Sequence, residues 1–400
     1  MTPDTLRHGG VAALDAALAA QRALTLRLFD AERAALGEAM DVRYLETINP
    51  PRWELGHVAW FEEFWLARNT ERLRGAAARL DAPRAASLLA DADALYDSST
   101  VAHSKRWHLD LPDASRTRTY AARVRERTRV LLQASRENAD ALYFFRLVLA
   151  HEAMHHEAGA MIAQTLALPV TEALPTAAPR AQGEAGEIAV AGRVLAVGRD
   201  DGGFAFDNEL GSHEVAVADF RIDRTPVTWR AYLPFIEAGG YDDARWWTHE
   251  GLAWRRRELA NGLPKHLRRD DDGTWERAAF GRWQPLDLDQ PAMHLSAHET
   301  AAWCRWAGRR LPSEHEWMLA AEHADFAWGD VWEWTASPFA PFPGFVRHPY
   351  RDYSAPWFDG RPVLKGGSFA SAPFMKHARY RNFFQPERND VFAGFRSCAT

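Results

Sequence analysis

Cysteine is almost missing from this sequence: Cys304 and Cys398 are the only two in 400 residues. A disulfide framework is thereby excluded, and a reducing, cytoplasmic setting is expected. Long apolar runs are missing too. No stretch approaches the roughly 18 uninterrupted apolar residues of a membrane-spanning helix, so no membrane partner is expected. Basic tracts are absent: the formal net charge is −6 and the arginines alternate with acids. That balance speaks against a nucleic-acid partner. The opening residues, MTPDTLRHGGVAALDAALAA, lack a basic start followed by a long apolar core, so no signal peptide is expected. What is plentiful is apolar residues (47%), tryptophan (17) and histidine (16). The apolar content suffices for a sizeable core. The tryptophans point equally to aromatic-lined pockets or to a Trp-rich core.

The first 167 residues read as helical. Apolar positions recur at helical spacing over 15–36, and Pro50–Pro51 opens a second helix over WELGHVAWFEEFWLARN. An alanine-rich helix is expected over 84–96, and further helices over 116–135 and 137–168. Long helices with short connections make a bundle. Composition then shifts at PVTEALPTAAPRAQGEAGE (169–187), which reads as a linker. Beyond it, short strand-like runs alternate with Gly, Pro, Asp and Trp, an α+β pattern. Two helices there announce themselves by capping boxes: Ser296 with Glu299, and Ser313 with Glu316.

The chemistry is carried by HEAMHHEA. His151 and His155 are four apart at the end of an apolar helical stretch, so both imidazoles share one face and can meet one metal ion. Burying two imidazoles without a shared purpose would be costly. Glu152 and Glu157 flank them as candidate acceptors for an imidazole N–H. Glu152 also brings a metalloprotease reading, against which no third ligand follows at the usual distance. His156, about 100° round the helix, is expected to be solvated or to support the ligands. His57 lies on the apolar side of its own helix near Trp53, Trp60 and Phe61. Spacing alone reads it equally as a satisfied core histidine or a ligand.

Several stretches in order carry a family resemblance: TPVTWRAYLPFIEAGGY (225–241), PAMHLSAHETAAWCRWAGRRLPSEHEWMLAA (291–321), GDVWEWTASPF (329–339), LKGGSFAS (364–371), ARYRNFF (378–384) and FAGFRSCA (392–399). This half resembles the formylglycine-generating-enzyme or sulfatase-modifying-factor domain, a variant of the C-type-lectin-like fold. The first half resembles a DinB-type four-helix bundle. The implied class is α+β, with a bundle over 1–170, a linker over 171–187 and a formylglycine-generating-enzyme-like domain over 188–400. That order resembles the non-haem iron sulfoxide synthases of ergothioneine biosynthesis. The resemblance implies that His57, His151 and His155 hold Fe(II), and that O2 is used to join a sulfur donor to C2 of the imidazole of hercynine (Nα-trimethylhistidine).

Departures from the family pattern concern the substrates. Met154 stands where members carry a glutamine that touches the substrate imidazole. Asn382-Phe383-Phe384 stands where users of γ-glutamylcysteine carry Asn-Trp-Asp. Ser98, Ser99 and Thr100 replace a tyrosine pair found in users of free cysteine. With WELGHVAWFEE and LYDSSTVAH, these resemble most the selenoneine branch, which joins a selenosugar to hercynine. The main expectation is therefore C–Se bond formation, with a cysteine-type thiol as the alternative. A proton must leave C2, for which Tyr350 and Tyr353 are candidates beside a purely structural role. The trimethylammonium calls for an aromatic cage, with Phe383, Phe384 and Trp332 as candidates and Asn382 as the polar contact. Trp332 and Trp334, in a motif common to the fold, and Gly366–Gly367 are expected to serve structure. Cys304 is expected to be buried and inert. The domain's own oxidase chemistry is set aside, because GGSFASAP lacks the copper-binding cysteines. Two other classes remain open: a zinc hydrolase or thiol transferase, and a sugar-binding module on a bundle scaffold.

Overall fold

Proline suits a helix's first turn, where its missing N–H has no partner to lose, and Pro51 does start a helix. The computed structural model describes residues 1–183, 185–259 and 261–400. Glu184, inside the expected linker, and Ala260 lie outside the described residues. Six helices come first: α1 (Pro3–His8), α2 (Val11–Leu36), α3 (Pro51–Trp65), α4 (Ala92–Tyr96), α5 (Ala114–Gln133) and α6 (Ala139–Thr165). The four long ones form the bundle, with α3 packed on α5 and α6, and α2 on α6. Asp113 and Asn138 cap α5 and α6 by accepting the N–H of Arg116 (2.7 Å) and Ala141 (2.9 Å). Helix α6 is buried almost all round from Ala141 to Ala153. It is wrapped by bundle helices on one side and the second half of the chain on the other.

The expected helix over 84–96 is corrected to the single turn α4. Residues 84–91 give their hydrogen bonds elsewhere. The Ala85 N–H goes to the Arg68 carbonyl at 3.0 Å. The Ser87 hydroxyl (2.5 Å) and the Leu88 N–H (2.8 Å) go to the Glu63 carboxylate on α3. A buried carboxylate is a stronger acceptor than a helical carbonyl, and it overrides the alanines' helical preference. The segment 171–187 is laid down on its neighbours: Ala173 and Leu174 are buried, and Arg180 pairs with Asp330 at 2.9 Å.

The second half begins with β1 (Glu187–Val190), β2 (Arg193–Val197), β3 (His213–Val217) and β4 (Phe220–Asp223). It continues through α7 (Trp229–Glu237), α8 (His249–Glu258), β5 (Leu267–Arg269), β6 (Trp275–Ala279), β7 (Arg282–Pro285), α9 (Ala297–Trp306), β8 (Arg309–Arg310) and α10 (Glu314–Ala320). It ends with β9 (Trp332–Pro338), β10 (Pro362–Lys365), β11 (Asn382–Phe383), β12 (Ala393–Gly394) and β13 (Cys398–Ala399). Two four-stranded sheets run β1-β4-β13-β8 and β11-β10-β9-β12, beside a β2–β3 hairpin and a β5-β6-β7 meander. Both capping boxes are present, on α9 and α10. The tryptophans mostly fill the core: Trp53, Trp229, Trp317, Trp332 and Trp334 are fully buried. Both cysteines are free and buried, and burial pushes the Cys398 thiol up to about 12. Among the described residues, no helix is long and apolar enough to cross a membrane.

The two halves share polar contacts. Tyr143 on α6 meets His348 at 3.0 Å, and Gln164 exchanges hydrogen bonds with Ala278 and Phe280. Glu157 accepts from Trp332 at 2.9 Å, from Ser371 at 2.8 Å and from Ser368. Gly366 and Gly367 sit at φ +95° and +85°, which only glycine adopts freely. The turn they make presents Ser368 to that carboxylate.

Candidate metal centre

Helices α3 and α6 cross so that His57, His151 and His155 bring their ligand nitrogens within 4.8 Å of one another. His57 and His151 are buried and His155 is partly so. Local packing dictates each ring's orientation. Gly56 admits the Tyr96 ring so closely that a Cβ would stand 2.2 Å from it. The Tyr96 carbonyl thereby accepts from His57 Nδ1 at 2.8 Å. His155 Nδ1 donates to Glu54 at 2.5 Å. Both bonds fix the tautomer that leaves Nε2 with its lone pair free. His151 Nε2 is buried without a partner among the described residues, an orphan that a metal ion would satisfy. Trp53 stacks on His57 (4.6 Å, 11°) and Phe61 on His151 (3.5 Å, 2°), locking the rings in place.

Electrostatics favour neutral imidazoles at His57 and His151. Burial pushes His57 down to about 3 and His151 well below its ordinary value. Burial works against the Glu54 charge, yet His155 beside it, and then His57 and Asn49, bring that carboxyl down to about 2. Three imidazole ligands and no thiolate suit a first-row divalent ion with positions left open.

The flanking acids behave otherwise than expected. Glu152 points away into a buried network, held by Arg22 (2.6 Å) and Arg125 (2.6 Å), with Glu62 alongside. It supports no imidazole and is not placed as a base, which removes the metalloprotease reading. Glu157 faces the second half of the chain, as described above. His156 is buried rather than solvated, and burial pushes it down to about 4.

A cavity of about 380 Å³ opens beside the triad. His151, Met154 and His155 form one wall; Tyr350, Tyr353, Asn382, Phe383 and Phe384 form another. The loop before β10 carries Tyr350 against Phe61 and His151, with ring centres 4.9 and 5.9 Å away. Tyr353 and Tyr380 bring their hydroxyls to 2.5 Å. Burial holds both the Tyr350 and Tyr353 phenols well above their usual range. Asn382 accepts from the Phe383 N–H at 2.8 Å, and Phe383 stacks on Phe339 at 4.1 Å. Ser98 and Ser99 are corrected: they do not line this cavity. Both are exposed, and Ser99 is turned back to Asp97 at 2.6 Å. Trp332 is likewise absent from the wall, since its N–H is committed to Glu157.

Sequence reasoning missed Glu54, Tyr380, Asp352, Arg361, Arg388 and Asp390, all wall residues. Glu54 had a readable signal, a carboxylate one turn before His57 on an apolar helix. Arg388 and Asp390 pair with each other at 2.6 Å and left no pattern to find.

A helical bundle with a three-histidine centre, joined to a sulfatase-modifying-factor-type domain, is the class that fold and site define. Residues 171–330 and 324–400 match the family described as "Sulfatase-modifying factor enzyme 1-like domain". The chain is 34% identical to the hercynine oxygenase of Mycobacterium tuberculosis (strain ATCC 25618 / H37Rv), over 95% of this chain and 96% of that one. It is 32% identical to the hercynine oxygenase of Mycolicibacterium thermoresistibile, over 93% and 91%. Its likeness to the formylglycine-generating enzyme of Streptomyces coelicolor is partial, 29% over 40% of this chain and 56% of that one. The chain belongs to the hercynine oxygenase family, the ergothioneine-type sulfoxide synthases.

Proposed function

We propose that this chain is an Fe(II)- and O2-dependent oxidoreductase that joins a cysteine-type thiol to C2 of the hercynine imidazole as a sulfoxide, working in the cytoplasm. The observation that carries the reading is the cluster of three histidines, two of which, His151 and His155, line a cavity walled by both halves of the chain; the full-length likeness to hercynine oxygenases supports it. In the overall balance, the C2–H and S–H bonds break and a C–S bond forms. One oxygen atom of O2 ends on sulfur, and the other leaves as water with the two protons. Iron, when bound, supplies O2 activation and a soft-donor attachment point. The chain's residues do the rest. Trp53 and Phe61 hold the imidazole ligands still, and the aromatic wall limits water around the reacting groups. Tyr350, whose hydroxyl makes no hydrogen bond to any described residue, and Tyr353 are assigned the movement of the C2 proton. Asn382, Phe383 and Phe384 are assigned contacts to substrate, and Met154 offers apolar contact alone.

A second reading, with a selenosugar as donor and a C–Se bond as product, is favoured by one observation. The Asn382-Phe383-Phe384 run offers an amide and aromatic faces and no carboxylate at these three wall positions, side chains suited to a neutral sugar. The test is anaerobic loading with Fe(II), then O2 and hercynine with cysteine, γ-glutamylcysteine or 1-seleno-glucose, read by mass spectrometry. A hercynine–thiol sulfoxide supports the main reading, and an adduct formed only with seleno-glucose replaces it by the second. No product from iron-loaded protein with any donor contradicts both.

A further inference from the structure

Tyr350 and Tyr353 stand on a loop with little regular structure of its own. Between His348 and Ser354 it holds one short turn, Arg351–Tyr353. Its internal backbone bonds are local: the Arg351 N–H to the Pro349 carbonyl and the Ser354 N–H to the Arg351 carbonyl, each 3.1 Å. Such bonds shape a turn but do not fix it against a distant helix, and every ordered residue loses conformational entropy. Yet Tyr350, Asp352 and Tyr353 all line the cavity. The anchor comes from another part of the chain. Asp207, in the turn Asp207–Glu209 before β3, is buried. Its Oδ2 accepts from the His348 N–H at 3.1 Å and from the Ser354 hydroxyl at 2.8 Å. Those donors stand at the two ends of the loop, so a single oxygen ties both. Asn208 beside it donates its amide to the Tyr353 carbonyl at 3.1 Å. Among the described residues, these two side chains make the only hydrogen bonds from the main chain of 348–354 to residues outside 340–361. The anchoring turn is itself held: the buried Arg381 guanidinium donates to the Asn208 carbonyl at 3.0 Å and pairs with Glu314 at 2.9 Å. Asp207 forms no ion pair among the described residues, and burial pushes its carboxyl above the usual range. A buried carboxylate without a counter-charge is costly. The two loop donors are what it holds in return, and they lie 141 and 147 positions along the chain, where a local turn motif has no partners.

We infer that Asp207 is a positioning residue for the reaction: it clamps the loop at both ends and so holds the phenols of Tyr350 and Tyr353 beside the metal centre. The inference rests on the proton-moving role proposed above for those phenols and adds the residue that sets their place. Loss of the clamp leaves the histidine ligands, the α6 wall and strand β11 as they are. It therefore slows the chemical step more than it weakens the binding of hercynine or of iron.

Asp207→Ala removes the acceptor, and Asp207→Asn keeps an oxygen for both donors. The first measurement is hydrogen exchange of peptides spanning 348–354 in metal-free protein, which needs neither iron nor substrate. Exchange is expected to rise about 10-fold or more in Asp207→Ala, the effect of losing two buried hydrogen bonds, and to stay within about 3-fold of wild type in Asp207→Asn. The second is steady-state turnover of Fe(II)-loaded protein with hercynine and the donor that wild type accepts. In Asp207→Ala, kcat is expected to fall about 10- to 100-fold while the KM for hercynine stays within about 3-fold, and Asp207→Asn is expected to restore kcat. Unchanged exchange overturns the clamp, and unchanged kcat overturns the positioning role. A loss that Asp207→Asn does not restore, or one that falls equally on KM or on iron content, assigns Asp207 a general structural role and also overturns the inference. Should Asp207→Ala fail to fold, Ser354→Ala, which removes one of the two donors, is expected to raise exchange and lower kcat in the same direction; no change in either overturns the inference. Absence of turnover in wild type with every donor overturns the substrate reading instead, and the exchange result stands apart from it.

Discussion

A histidine buried among tryptophan and phenylalanine needs a partner for each ring nitrogen, or it pays desolvation for nothing. His57 and His155 spend Nδ1 on Tyr96 and Glu54 and keep Nε2 for the shared point. This accounting explains what was legible. The pair His151 and His155 could be read because both ligands lie on one helix. His57 could not be read from spacing, because its claim depends on how two helices 90 residues apart cross. The supporting carboxylate was misassigned for a related reason: Glu152 adjoins His151 in sequence but points a quarter-turn away, whereas Glu54 arrives from α3. Glu54→Gln weakens the hydrogen bond that orients His155 and raises its basicity. Metal affinity should fall about 10- to 100-fold, measured by competition with a chelator. Unchanged affinity would contradict the role given to Glu54.

Elements were legible where local chemistry decides them. The Ser296–Glu299 and Ser313–Glu316 boxes announce α9 and α10, and both boxes form. The alanines of 84–91 misled, because Glu63 recruits that segment by tertiary hydrogen bonds that no local pattern encodes. The α9 box also contains a pH-sensitive group. Glu299 is fully buried, accepting from Tyr241 at 2.7 Å and the Ser296 N–H at 2.7 Å. Burial raises it from 4.5 to about 7. The native state therefore keeps a proton that the unfolded chain releases, and the associated stability, present below pH 4.5, is lost as pH rises through 7. Glu299→Gln has no such titration. Whatever its absolute stability, it should gain about 2 to 3 kcal/mol relative to wild type between pH 5 and pH 8, measured by urea unfolding at both pH values. A difference that does not change with pH would contradict the buried-proton account.

At the scale of the whole molecule, the organisation into bundle and α+β half was legible from the composition change near residue 170. What the sequence could not display is that the cavity belongs to neither half alone. Helix α6 supplies two of the three metal ligands and one wall, helix α3 supplies the third ligand, and the loop before β10 and strand β11 supply the other wall. The residues that meet there are separated by some two hundred positions, so no window along the chain contains the site. Ser98 and Ser99 failed as wall residues for the same reason: the wall they were expected to form is built by Tyr350, Tyr353 and Asn382. The central claim is that the triad holds an iron ion with open positions in a cavity that also holds hercynine. Its most direct test is the electron paramagnetic resonance spectrum of Fe(II)-loaded protein treated with nitric oxide, with and without hercynine. The account predicts a ferrous nitrosyl signal that is absent from His151→Ala and is reshaped by hercynine in the wild type. A signal that persists without His151, or one that hercynine leaves unchanged, would contradict it.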